Sequence, residues 1–153
     1  MKRKIRCAAL GVVACILLAA TAGDPGRPVT RPYWFHGHST FVINLETSEV
    51  TYSGIGEAAH VGRAGNVASG YIDAANVLHL VGTVTGASGE NIFWTVDDVQ
   101  GPNTLLVLTG GTGRFEGVTG ELNSWQTKNE VQVLEWPLLT ITSDQTAWGW
   151  ISY

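Results

Sequence analysis

Between Gly110 and Gly120 the chain places five glycines in eleven residues, Gly110-Gly111-Thr112-Gly113-Arg114-Phe115-Glu116-Gly117-Val118-Thr119-Gly120. Glycine at this density marks a backbone that adopts positive φ or passes very close to a neighbouring strand. The segment follows an apolar, strand-like run, Leu105–Leu108, and leads into another beginning at Glu121-Leu122. It is therefore read as a crossover between two strands, at Gly110, Gly111, Gly113, Gly117 and Gly120. The short Arg114-Phe115-Glu116 piece is expected to form one helical turn that plugs an end of a β-structure.

The N-terminus sets a compartment. Lys2, Arg3, Lys4 and Arg6 precede an apolar run from Ala8 to Ala20, then Ala20-Thr21-Ala22 and Gly23-Asp24-Pro25. A basic head, a short apolar stretch and an A-x-A site describe a signal peptide over residues 1–22. The apolar run is shorter than the roughly 20 residues that span a bilayer. Val12-Val13-Ala14-Cys15 also fits a loose lipobox, but the apolar run continues past Cys15, which favours ordinary export to a secreted or periplasmic location. Cleavage would remove Cys7, Cys15 and the single methionine. Thiol catalysis and thiolate metal sites are then excluded. Thirteen acidic residues stand against Arg27, Arg31, Arg63, Arg114 and Lys128, a net charge of −8 after cleavage. Such a surface repels nucleic acid. No membrane contact is expected of the mature chain.

Residues 23–33, rich in proline and glycine, read as a linker or mobile leader. From residue 34 to 153 short β-branched and aromatic runs alternate with turn residues, which predicts a single all-β domain. Strands are expected over 40–45, 48–62, 66–72, 77–85, 91–99, 104–108, 118–128, 131–142 and 146–153, with turns at Asp73–Asn76, Gly86–Gly89 and Gly101–Asn103. Val77–Val81 and Leu105–Leu108 are apolar on both faces. One face can line a barrel while the other meets a covering segment or a second subunit.

Gly54–Arg63, with His60 between glycines, resembles a strand of small exported bacterial barrels related to allene oxide cyclase. Ala74-Ala75-Asn76 before Leu78-His79-Leu80, the glycine crossover, and the ending Gly149-Trp150-Ile151-Ser152-Tyr153 resemble the same family, which includes the plant dirigent-type proteins. The resemblance spans about Tyr52–Tyr153. It implies an eight-stranded antiparallel β-barrel with a partly filled interior. No catalytic role carries over residue by residue, and no cofactor is implied.

Candidate site residues each admit two readings. His36-Gly37-His38 would present both imidazoles on one side of a strand, as in a zinc or copper site, with His60 or His79 as a third ligand. Otherwise they lie in a frayed leader, and the sequence carries no dense ligand cluster to define a metal. Arg63, beside His60, would clamp a carboxylate in the barrel mouth or pair structurally with Glu57. Arg114 would bind an anion, or lie over Phe115 and pair with a nearby carboxylate. Asp97-Asp98 lacks a spacing that marks a glycosidase pair. Trp148 and Trp150 share a face of the last strand and would form a stacking platform for a flat ligand, or fill a core or subunit interface. No serine-nucleophile, phosphate-loop or dinucleotide motif is present. The chain thus reads as an exported barrel that binds a small apolar or aromatic ligand without catalysis. The alternatives are a cyclase- or isomerase-like enzyme, and a structural protein that forms homo-oligomers.

Overall fold

Alternation of inward and outward side chains runs along the strands that enclose the core, and the chain closes on itself. The computed structural model describes residues 28–99 and 103–153. The expected signal peptide, Cys15 and the first part of the leader lie outside the described residues. The strands are β1 (Thr30–Asn44), β2 (Glu49–Ala58), β3 (Gly62–Ile72), β4 (Val77–Gly86), β5 (Asn91–Val99), β6 (Asn103–Gly111), β7 (Thr119–Glu135) and β8 (Leu138–Ser152). Each pairs antiparallel with the next, and β1 pairs β8 from Thr30↔Ser152 to Asn44↔Leu138. The result is the closed eight-stranded antiparallel barrel that the resemblance implied. Closure satisfies strand edges that would otherwise template aggregation.

The barrel has two unlike ends. At one end the crossover folds into a 3-10 turn, Gly113–Phe115, whose Phe115 is completely buried. Val118 and Ile151 are equally buried beside it, and Phe115 meets Tyr153 edge to face at 5.7 Å. Gly113 sits at φ +60, and a Cβ at Gly111 would lie 2.5 Å from the Asn91 carbonyl oxygen. Glycine is required there for conformation at one position and for space at the other. Arg114 fastens the plug. Its Nε meets Glu90 Oε2 at 3.0 Å, its Nη2 donates to the His60 carbonyl at 2.7 Å, and its guanidinium lies 4.9 Å from the Phe115 ring centre. The backbone N–H of Arg114 also donates to Glu90, which holds that carboxyl below its usual range.

Two boundaries differ from expectation. The leader expected through residue 33 is shorter, because Thr30–Tyr33 already pair with β8 and Tyr33 is 1% exposed in the core. The chain from 118 to 153 forms two long strands, not three. Breaks expected near 129–130 and 143–145 are absent. A bulge with Lys128 at φ 53 keeps β7 continuous, and the hairpin turns at Trp136-Pro137. Proline has no N–H for a ladder, which suits Pro137 to the turn.

Candidate functional site

The open end of the barrel leads into a cavity of about 210 Å³. Phe41, Ile43, Ile72, Leu78, Val96 and Ile141 are among the apolar side chains on its wall. They are inward residues of several different strands, placed there by the period-2 alternation. Trp94, Leu106 and Gln145 form its floor, since all three also line a small enclosed void beneath, beside Tyr33. The far end is shut by the crossover plug. The cavity therefore has one entrance.

A chain of neutral hydrogen bonds crosses the floor. Trp94 Nε1 donates to Asn66 Oδ1 at 3.0 Å, and Asn66 Nδ2 donates to the Tyr52 hydroxyl at 3.2 Å. Tyr52 donates in turn to Gln145 Oε1, and Gln145 Nε2 donates to Ser124 Oγ at 2.8 Å. Ser39 and Ser143 pair at 2.9 Å on the same inner surface. All these side chains are buried, and a buried polar group left unpaired costs about 1–3 kcal/mol. Burial pushes the Tyr52 hydroxyl well above the ordinary phenol range, so it stays neutral. Among the described residues that line the cavity, none carries a carboxylate, imidazole, ammonium or guanidinium group.

The residues expected to bind ligand lie elsewhere. Trp148 and Trp150 are 49% and 51% exposed and project from the outside of β8, while their neighbours Ala147, Gly149 and Ile151 face inward. They do share a face, at 5.9 Å in an edge-on arrangement, but it is not the mouth. Trp34 stands opposite Trp148 on β1, and Trp125 is exposed on β7. Trp94 alone of the six tryptophans points into the barrel. Arg63 and His60 sit at the plugged end, opposite to the cavity. Arg63 is outward on β3 facing Glu57 across the ladder, and His60 turns at φ 63 with Nε2 3.0 Å from the Pro32 carbonyl.

Nor does the fold gather the histidines. His36 and His38 lie on the outside of β1, within a regular strand and not a frayed leader. Their Nδ1 atoms meet Thr146 Oγ1 at 3.1 Å and Asp144 Oδ1 at 2.6 Å. Lys128 shares Asp144 at 2.7 Å and is the main cause of that carboxyl's lowered pKa. His79 is on β4, held between Asp97 at 2.6 Å and Asp73 at 3.2 Å, with Tyr71 stacked at 4.8 Å. The Asp97 hydrogen bond, then that of Asp73, raises the His79 pKa.

Fold and cavity together define a one-ended antiparallel β-barrel with a neutral, mostly apolar interior. No protein-family model matches the chain, and no curated protein matches it in sequence. Among solved structures it is similar to a pyocyanin demethylase, at 14% identity and a TM-score of 0.49, over 76% of this chain and 99% of that one. It is also similar to a pterocarpan synthase dirigent protein, at 11% identity and a TM-score of 0.44, over 90% of this chain and 99% of that one.

Proposed function

We propose that this protein binds a small, predominantly apolar or aromatic molecule inside the barrel and does not turn it over. One observation carries the reading: an open cavity whose lining, among the described residues, holds no ionisable group other than the neutral, buried Tyr52. Proton transfer by a poised carboxylate or histidine, the commonest acid–base device, has no candidate on that surface among the described residues. Its volume is about 40% above the roughly 150 Å³ of an engineered cavity that holds benzene, so a bicyclic ring fits with part of it in the mouth. A probe of about ten heavy atoms gaining about 0.5 kcal/mol each would bind with a Kd of roughly 0.2 mM.

Titration with naphthalene-sized compounds tests this, following tryptophan fluorescence in a Trp148→Phe/Trp150→Phe background. Saturable quenching, with Trp94 as the tryptophan on the cavity wall, together with a heat of binding that is lost in Leu80→Trp by calorimetry, supports binding. Sustained product formation would instead favour the cyclase- or isomerase-like alternative.

A second reading concerns the outside of the barrel. Trp34, Trp125, Trp148 and Trp150 lie exposed on three adjacent strands. Exposed aromatic clusters of this kind mark association surfaces, and we infer a contact between copies of the chain there. Light scattering of wild type and Trp148→Ser/Trp150→Ser checks it; equal monomer masses would reject it. Export remains part of the proposal. The barrel begins at Thr30, beyond the Ala22 cleavage position, so processing leaves every strand intact. N-terminal sequencing should find a start at or near Gly23; an intact Met1 or a lipid on Cys15 in exported protein would overturn it.

A further inference from the structure

The hydrogen bonds on the cavity floor run in one direction only, and Trp94 sets it. An indole N–H is a donor and never an acceptor. The atom it reaches on Asn66 must therefore be the amide oxygen, which turns the Asn66 NH₂ toward the Tyr52 hydroxyl. Tyr52 then accepts with its oxygen and spends its proton on Gln145, whose oxygen accepts it. The Gln145 NH₂ is left facing Ser124, whose oxygen accepts in turn. Each step follows from the one before, because each amide has one accepting and one donating end and, among the described residues, Gln145 is the one partner that can take the Tyr52 proton. The chain ends at the Ser124 hydroxyl, on the cavity wall, and among the described residues its proton meets no protein acceptor.

We infer that the cavity selects neutral hydrophobic molecules carrying one hydrogen-bond acceptor, a ketone, aldehyde, ester or ether oxygen, which the Ser124 hydroxyl engages. This rests on the binding reading above and narrows it. A carboxylate in that position would bring a charge into a lining with no cation to meet it, at a cost that neutral groups avoid. A hydrocarbon would fit but leave the Ser124 proton without a partner. The site thus distinguishes three kinds of molecule of the same shape.

Calorimetric titration of the full-length mature protein with 2-acetylnaphthalene, 2-ethylnaphthalene and 2-naphthoate makes the test. The ketone should bind about 2- to 10-fold more tightly than the hydrocarbon, the range of one neutral hydrogen bond. The carboxylate should bind at least about 100-fold more weakly than the ketone. The infrared carbonyl stretch of bound 2-acetylnaphthalene should lie below its value in an apolar solvent. In Ser124→Ala the ketone's advantage and the infrared shift should both shrink, with the hydrocarbon's affinity held within about 2-fold; what remains of either belongs to Thr104 and Gln126, the other polar side chains on the same lining that can donate and are not part of the floor chain. Equal binding of ketone and hydrocarbon, or tightest binding by the carboxylate, overturns this inference and leaves the binding reading intact. Failure of all three compounds to bind overturns the binding reading itself. The ligand series on wild-type protein decides the matter even should Ser124→Ala fold poorly.

Discussion

The indole of Trp94 lies across Gly82, its direct partner on the neighbouring strand, where a Cβ would stand 2.3 Å from the ring. The bare backbone at Gly82 makes the space in which the ring sits. The ring in turn delivers the N–H that orders the floor. Replacing Gly82 by valine should tip the indole off that strand and break its hydrogen bond to Asn66. Overpacking of this kind costs about 1–3 kcal/mol. Urea denaturation should show the loss, and tryptophan emission should change as Trp94 leaves its site. An unchanged midpoint and spectrum would contradict this packing.

The crossover plug makes a sharper demand on the backbone. Gly113→Val forces a β-branched residue to φ +60, and Gly111→Val drives a side chain into the Asn91 and Phe115 carbonyls. Each should destabilise by at least about 2 kcal/mol, roughly 8 °C in Tm. Glu116→Ala, at an exposed position, should melt within about 2 °C of wild type. Valine variants that melt like wild type would refute the need for glycine at these two positions.

His79 gives the fold a pH signature. Its pKa is raised above the ordinary histidine value of 6.5 by Asp97 and Asp73, so its ion pairs stabilise the native state fully below that value. The contribution is lost as pH rises through the raised native pKa. Asp73 is lowered from 3.8, first by the Val77 N–H and then by His79, so its share is present above 3.8 and lost as pH falls through the lowered value. The difference in Tm between wild type and His79→Gln should therefore be greatest between pH 3.8 and 6.5 and decline toward alkaline pH. A difference that grows with pH would contradict the clamp.

The barrel was legible in the sequence where β-branched, apolar runs were bounded by turn residues, as in Val77–Thr85 between Asn76 and Gly86. The plug was legible too, because glycines packed as densely as Gly110–Gly120 belong to a backbone that turns sharply or is crowded by its neighbours. The cavity floor was not. Ser143-Asp144-Gln145 reads as a polar break, yet Ser143 and Gln145 face inward in mid-strand, where they bond Ser39, Tyr52 and Ser124. Polarity that is satisfied by partners far away in sequence looks the same, locally, as polarity facing water. Tryptophan misled in the opposite sense. Large aromatics suggested a lining at Trp148 and Trp150, but strand parity places those two outside and leaves the role to Trp94. Without knowing which of two faces closes inward, spacing alone shows only that residues share a side.

A barrel plugged by Phe115 at one end and open at the other would give any occupant a single doorway. A newcomer cannot push a resident through, nor enter alongside it in so small a chamber. Exchange must wait for spontaneous departure. In stopped-flow displacement, the rate at which a bound fluorescent hydrophobe leaves should be independent of the concentration of the competitor that replaces it. The residence time would then belong to the doorway and the resident alone, however crowded with rivals the surroundings become.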